Sequence, residues 1–131
     1  MKKFLGLGAI IIALLFMSAC QKPIYNVQNT ISVKNKKLED IYNAIKLGAE
    51  NANWSTKRIS KNELIATTRV RVHVAKVKIK FNESSYSIKF FKGINIKQRP
   101  KEGTIHENYN KWVALLEAEI EDQLIILKSK K

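Results

Sequence analysis

Leu64-Ile65-Ala66-Thr67-Thr68-Arg69-Val70-Arg71-Val72-His73-Val74-Ala75-Lys76-Val77-Lys78-Ile79-Lys80-Phe81 is the stretch that decides the fold. Along a strand, successive side chains point to opposite faces. Leu64, Ala66, Thr68, Val70 and Val72 share one parity, whereas Val77, Ile79 and Phe81 share the other, opposed by Lys76, Lys78 and Lys80. One unbroken strand cannot exchange its buried face for its exposed one, because a one-residue slip inverts every side chain. A hairpin turn or bulge within residues 71–75 removes the conflict, and a two-residue loop reverses parity in this way. Two strands are therefore expected, over about 63–71 and 74–81.

Outward from this pair, residues 82–85 read as a loop, and Tyr86, Ile88 and Phe90 alternate with Ser87 and Lys89 as a further strand. Placing Phe81 opposite Tyr86 aligns Ile79 with Ile88 and Val77 with Phe90, so the large apolar groups share one face. Residues 54–60 are strand-like, and Lys61-Asn62 makes a tight turn into the next strand. Before them, Leu38, Ile41, Tyr42, Ile45, Ala49 and Ala52 recur at helical spacing, predicting a helix over 36–51 capped by Asn35. Gly48 weakens that helix without ending it. Residues 93–103 read as a basic loop containing Arg99-Pro100. Thr104-Ile105-His106-Glu107 matches a capping box. Tyr109, Trp112, Val113, Leu116, Ile120, Leu124 and Leu127 then predict a helix over 105–127, with Glu117, Glu119, Glu121 and Asp122 on its outer side. The expected fold class is α+β: a helix, a four-stranded antiparallel meander and a long C-terminal helix, both helices on one face of the sheet.

The beginning of the chain has a different character. Met1-Lys2-Lys3 is a short positive segment, residues 4–17 are almost unbrokenly apolar, and Ser18-Ala19-Cys20 follow. A membrane-crossing helix needs about 20 apolar residues. This run is shorter and fits the core of a secretion signal. Met17-Ser18-Ala19-Cys20 resembles the bacterial lipobox, in which two small residues precede a cysteine that is lipidated and becomes the first residue of the exported protein. The resemblance implies a signal peptide over 1–19, a diacylglycerol on the Cys20 thiol and a further acyl chain, such as palmitate, on its freed amine. Each buried CH₂ adds about 0.8 kcal/mol, so two or three chains make a stable membrane anchor. Gln21, where inner-membrane lipoproteins carry Asp, favours the outer membrane facing the periplasm. Residues 20–34 are polar, contain Pro23 and several Asn, and read as a lipidated start and tether. The domain is expected over 35–127, with a basic tail over 128–131.

The 131 residues carry a formal charge of +13, and removal of Lys2 and Lys3 with the signal leaves roughly +11. In an exported protein this excludes nucleic acid as the expected partner. It points instead to anionic envelope material: phospholipid head groups, lipopolysaccharide phosphates or an acidic protein face. A simply solvated Lys-rich surface is the competing reading. The single cysteine allows no intrachain disulfide, so the core must hold the fold.

The best-defined candidate binding surface is the row Lys76, Lys78, Lys80 with Lys89 beside it and Arg69, Arg71 and His73 near it. The same lysines can equally serve to discourage strand-to-strand aggregation. His73 reads as a turn residue or an anion contact, and His106 as a residue of the first turn of the last helix. Trp54, Tyr109 and Trp112 read as core. No catalytic residue, metal site or cofactor is expected. Two His, two Asp and one Cys do not approach zinc-site spacing, and no HExxH motif, phosphate loop or nucleophile elbow occurs.

Residues 71–79, Tyr86-Ser87-Ile88-Lys89-Phe90 and above all Ile105-His106-Glu107-Asn108-Tyr109-Asn110-Lys111-Trp112-Val113 resemble an uncharacterised family of small Gram-negative lipoproteins with an Ile-His-x-Asn-Tyr-Asn-x-Trp-Val motif. Relatives are expected to carry a small residue in place of Val72 and an Asn-Leu pair near Asn95-Ile96. The resemblance brings no activity. It implies that His106, Asn108, Tyr109, Asn110 and Trp112 act as one structural unit. In that unit Tyr109 and Trp112 dock the helix, while His106 and the asparagines bond the loop and sheet edge. Three functions follow as expectations: a membrane-anchored, non-enzymatic binding module, a structural or accessory subunit of an envelope assembly complex, and, least supported, a hydrolytic enzyme.

Overall fold

The computed structural model describes residues 21–96 and 104–130, with side chains for 23–96 and 108–130. The expected signal segment, Cys20 and the Arg99-Pro100 part of the basic loop lie outside the described residues. The described chain is α+β. In order it forms β1 (Gln21–Pro23), β2 (Val27–Thr30), α1 (Leu38–Asn51), β3 (Ser55–Ser60), β4 (Glu63–Val70), β5 (His73–Phe81), β6 (Ser85–Ile94), β7 (Thr104–His106) and α2 (Glu107–Ser129). One antiparallel sheet has the order β2-β6-β5-β4-β3, and β1 pairs with β7 in a separate two-stranded ribbon.

The parity reversal in the quoted stretch is a two-residue hairpin. β4 ends at Val70, β5 begins at His73, and Val70 pairs with His73 across the Arg71-Val72 turn. Arg71 has a φ of 57°. A hairpin turn with positive φ at its first position favours glycine, and a side chain there costs about 1–2 kcal/mol. The fold meets that cost without a glycine or asparagine in the turn. Asn95, itself at φ 56°, donates from Nδ2 to the Val72 carbonyl at 3.0 Å and locks the turn. The expected register is present: Phe81 opposite Tyr86, Ile79 opposite Ile88, Val77 opposite Phe90.

One sheet face carries Leu64, Ala66, Ala75, Val77, Ile79, Phe81, Tyr86 and Ile88. It packs in a single buried cluster with Ile41, Ile45 and Ala49 of α1 and Tyr109, Val113, Leu116, Ile120 and Leu124 of α2. The two helices cross where Gly48 meets Ile120. A methyl group on Gly48 would stand 2.7 Å from the Ile120 Cα. Gly48 thus lets the two helix backbones come close and is not merely a weak helix residue.

The largest departure from expectation is the N-terminal segment. Residues 21–34 are not a tether over their described length. β2 pairs with β6 as a fifth strand, Ile31 N–H donates to the Ser84 carbonyl at 2.8 Å, and Val27, Ile31 and Val33 are buried. Val27, Asn29, Ile31 and Val33 share one parity, but Asn29 interrupts the apolar row and hides the alternation.

Two helix starts also move. Helix α1 begins at Leu38, and the Asp40 carboxylate accepts from the Lys37 N–H at 3.0 Å. Asn35 is a turn residue at φ 62°, before the helix. Helix α2 begins at Glu107, so Glu107 is not at the third helical position that a capping box from Thr104 requires. The backbone of Thr104, Ile105 and His106 is instead paired with Pro23, Lys22 and Gln21.

Candidate functional site

The open face of the sheet follows from the same alternation that builds the core. Read across the strands, Lys80 lies between Glu63 and Ser87, Lys78 between Ile65 and Lys89, Lys76 between Thr67 and Lys92, and Val74 between Arg69 and Ile94. Lys57 lies opposite Ile65 on β3. A bulge between Lys76 and Val77 leaves Phe91 without a partner residue on β5, so Phe91 and Lys92 both reach the open face. Among the described residues this face therefore gathers Lys57, Arg69, Lys76, Lys78, Lys80, Lys89 and Lys92 around one carboxylate, Glu63.

Glu63 is shared between Lys78 at 3.6 Å and Lys80 at 3.8 Å. The Lys78 ammonium also stands 5.1 Å from the centre of the Phe91 ring, within cation–π range. Lys57, Arg69, Arg71, Lys76, Lys89 and Lys92 meet no carboxylate among the described residues. A field of unpaired cations on one face raises the local concentration of anions. The sequence row omitted Lys57, Lys92, Phe91 and Ile94. The break in alternation at Phe90-Phe91 was the signal that could have found the last three.

His73 is not part of this face. It shares the parity of Ala75 and Val77, donates from Nδ1 to the Asn95 carbonyl, and lies with its ring centre 6.4 Å from that of Trp112. It ties the hairpin to the end of β6 and to α2. Arg71 lies in the turn itself, at the end of the sheet rather than on its face. Near it Val72 is 65% exposed and Ile94 is 55% exposed, while Phe91, 48% exposed, lies farther along the face, against Lys78. At the opposite end of the sheet, Ser60, Asn62, Asn82 and Ser85 line a shallow polar depression.

The His-Asn-Tyr-Asn-Trp segment is divided by the boundary between strand and helix. His106 is the last residue of β7, paired with Gln21, and so is not in the first turn of the helix. Asn108 is exposed on the first turn of α2. Tyr109 is fully buried and meets Phe90 edge-on at 5.4 Å. Asn110 donates to the Pro23 carbonyl at 2.8 Å and accepts from the Tyr25 N–H at 2.9 Å. Among the described residues its partners are thus Pro23 at the end of the N-terminal strand and Tyr25 just after it. Trp112 packs partly buried against the core.

A second polar cluster was not foreseen. Glu117 and Glu121 do not lie on the outer side of α2. The Asn29 amide donates to Glu117 at 2.6 Å and to Glu121 at 3.2 Å, the Tyr86 hydroxyl donates to Glu121 at 2.6 Å, and the Tyr25 hydroxyl donates to Glu117 at 2.5 Å. Burial together with the Glu121 carboxylate pushes the Tyr86 phenol well above its ordinary value. These contacts clamp β2 to α2.

Among the described residues, no three His, Cys, Asp or Glu side chains converge as metal ligands, and no helix is long and apolar enough to cross a membrane. Comparison with protein-family models and with curated proteins finds no match.

Proposed function

We propose that this protein is a lipid-anchored component of the cell envelope, held by acyl chains on Cys20 in the outer membrane facing the periplasm. In this reading it acts without catalysis, as a binding module for an anionic partner. The observation that carries the proposal is the open sheet face, with seven cations and one carboxylate among its described residues. Phe91 and Ile94 among those cations add apolar contact area beside the charge, as binding surfaces do. Neither histidine is given a catalytic role; the His73 ring is engaged by Asn95 and Trp112.

A second reading, an accessory subunit of an envelope assembly complex, draws on the outer surface of the helix layer. There Leu47 of α1 and Ile126 of α2 are both exposed and line one shallow groove. A protein partner seated there would be held by apolar burial and would tolerate salt.

The two readings separate in one experiment. Full-length protein is used to capture partners from detergent-solubilised envelope at low and high salt, beside a Lys76→Glu/Lys89→Glu variant. Among the described residues those two lysines have no carboxylate partner, so the variant removes charge without breaking an ion pair seen there. Capture that is lost at high salt and lost in the variant supports the basic face. Capture that survives both supports the accessory subunit, and no capture under either condition rejects both. Anchoring is tested separately by the mass of the N-terminal peptide and by release of a Cys20→Ser variant from membranes.

A further inference from the structure

The chain enters the folded domain with no slack. Gln21 is one peptide unit, about 3.8 Å between Cα atoms, from Cys20, and it is already paired with His106. A lipid on Cys20 therefore fixes the position of β1, and with it one particular end of the domain, at the bilayer surface.

Which end follows from the direction of three elements. From Pro23 to Asn29 the chain runs alongside α2, meeting first Asn110 and then Glu117. Gln21 thus lies at the N-terminal end of α2. Trp112 and Tyr109, in the opening turns of α2, meet His73 and Phe90. The N-terminal end of α2 is therefore the end of the sheet that carries the Arg71-Val72 turn and the last residues of β6. Gln21, the residue next to Cys20, and the hairpin lie at the same end of the domain.

That end has a composition suited to a charged lipid surface. Arg69, Val70, Arg71 and Val72 alternate cation and apolar group through the turn, and Ile94 and Lys92 stand beside them. Among the described residues of the strands and their turns, Val72 and Ile94 are the two most exposed large apolar side chains. Arg71 occupies a left-handed conformation that a glycine would adopt without strain. The turn thus keeps an arginine at a position where backbone geometry disfavours one.

Resting on the reading that Cys20 carries lipid, we infer that the Arg71-Val72 hairpin end docks onto an anionic phospholipid bilayer. Arg69, Arg71 and Lys92 meet lipid phosphates, and Val72 and Ile94 enter the head-group layer. Apolar groups of interfacial segments reach roughly 5–10 Å into that layer. Docking in this orientation takes Arg69 and Lys92, at the hairpin end of the open face, to the membrane and leaves Lys57, Lys76, Lys78, Lys80 and Lys89 for a partner.

The test uses full-length protein reconstituted in vesicles of equal phosphatidylglycerol and phosphatidylcholine, and in phosphatidylcholine alone. Lipidation consumes the only native thiol, so a fluorophore can be placed at Val72→Cys, or at Glu83→Cys on the opposite end. Quenching by nitroxide-labelled lipid is then read at each position. The expected result is strong quenching at 72 in the anionic vesicles, weaker quenching at 72 in phosphatidylcholine, and none at 83. Adding Arg71→Gly should lower the docked-to-undocked ratio by about fivefold at low salt, while the protein stays folded, because glycine accepts the turn conformation. Equal quenching at 72 and 83, or quenching at 72 that Arg71→Gly leaves unchanged, overturns the inference. Shielding at 72 without lipid quenching means that a second copy or another protein covers the end, and also overturns it. Mass measurement of the N-terminal peptide separates the premises. An unlipidated Cys20 removes both the anchoring and the docking, whereas a lipidated protein with an unquenched label removes the docking alone.

Discussion

The Asn29 side-chain amide donates to the Glu117 carboxylate at 2.6 Å, joining an edge strand near the start of the domain to the helix that closes it. Asn29 also reaches the Tyr86 hydroxyl at 2.9 Å and Glu121 at 3.2 Å. It is thus the donor between two carboxylates one helical turn apart on α2, whose like charges disfavour each other. The contact allows a polar residue to hold a core-side position of β2, and it fixes the strand to α2 as well as to β6.

Removing this donor should be costly. Asn29→Ala leaves Glu117 and Glu121 facing each other with fewer hydrogen bonds. A part-buried polar group that loses its partner costs about 1–3 kcal/mol. The urea midpoint of Asn29→Ala is expected to fall accordingly. Gln28→Ala, next along β2 and exposed, should stay within about 0.5 kcal/mol. Equal midpoints for the two variants would show that the clamp contributes nothing to the domain.

Gly48→Ala should destabilise the protein although it improves helix propensity by about 1 kcal/mol. The added methyl meets the Ile120 Cα at 2.7 Å and the Glu119 carbonyl at 2.9 Å. Both are backbone atoms, so a helix must move. Overpacking of this kind costs about 1–3 kcal/mol, and each kcal/mol lowers the thermal midpoint of a small domain by about 4–8 °C. A midpoint at or above that of the wild type would mean that the helices separate freely at this crossing.

The central sheet was legible because its alternation is strict. Val77, Ile79 and Phe81 against three lysines fix one face, and the reversed parity upstream demands the turn that Arg71 and Val72 make. What was hidden depended on long-range partners. β2 was read as a tether because Asn29 breaks its apolar row, and partners far along the chain, Glu117 and Glu121 some ninety residues away and the Tyr86 hydroxyl, make that asparagine acceptable at a part-buried position. The same contacts turned two glutamates assigned to solvent toward the sheet. The start of α2 moved because β1 takes the backbone groups of Thr104, Ile105 and His106, a pairing that three residues on each side do not announce. The lysine row was visible, but Lys92 and Phe91 joined it through a bulge that alternation alone does not place.

Tyr109→Phe should be neutral or stabilising. The Tyr109 hydroxyl is buried and has no hydrogen-bond partner among the described residues, while its ring meets Phe90 edge-on. Phenylalanine keeps the ring contact and removes a hydroxyl whose unpaired burial costs about 1–3 kcal/mol. Tyr109→Ala loses both and should cost about 3–5 kcal/mol. Denaturation midpoints in the order Phe at or above wild type, then Ala far below, are expected. A destabilised Tyr109→Phe would mean that the hydroxyl contributes a hydrogen bond to the folded protein.

Alkaline pH should unfold the domain through its buried tyrosines. Burial raises the Tyr86 and Tyr109 phenols above their ordinary value of 10.0, and Glu121 raises Tyr86 further. Above pH 10 the unfolded chain loses these protons while the folded chain retains them, so the folded state binds more protons and stability falls as pH rises. Below pH 10 both states hold the protons and the contribution is complete. Each such tyrosine removes about 1.4 kcal/mol per pH unit above that point. The urea midpoint should therefore hold steady up to pH 9 and drop steeply between about pH 10 and 11. A Tyr86→Phe/Tyr109→Phe variant starts from a different stability at neutral pH, so the slope above pH 10, and not the midpoint itself, is the decisive quantity. That slope should become shallower by about 2–3 kcal/mol per pH unit. An unchanged slope would mean that these phenols ionise as easily in the folded protein as in the unfolded chain.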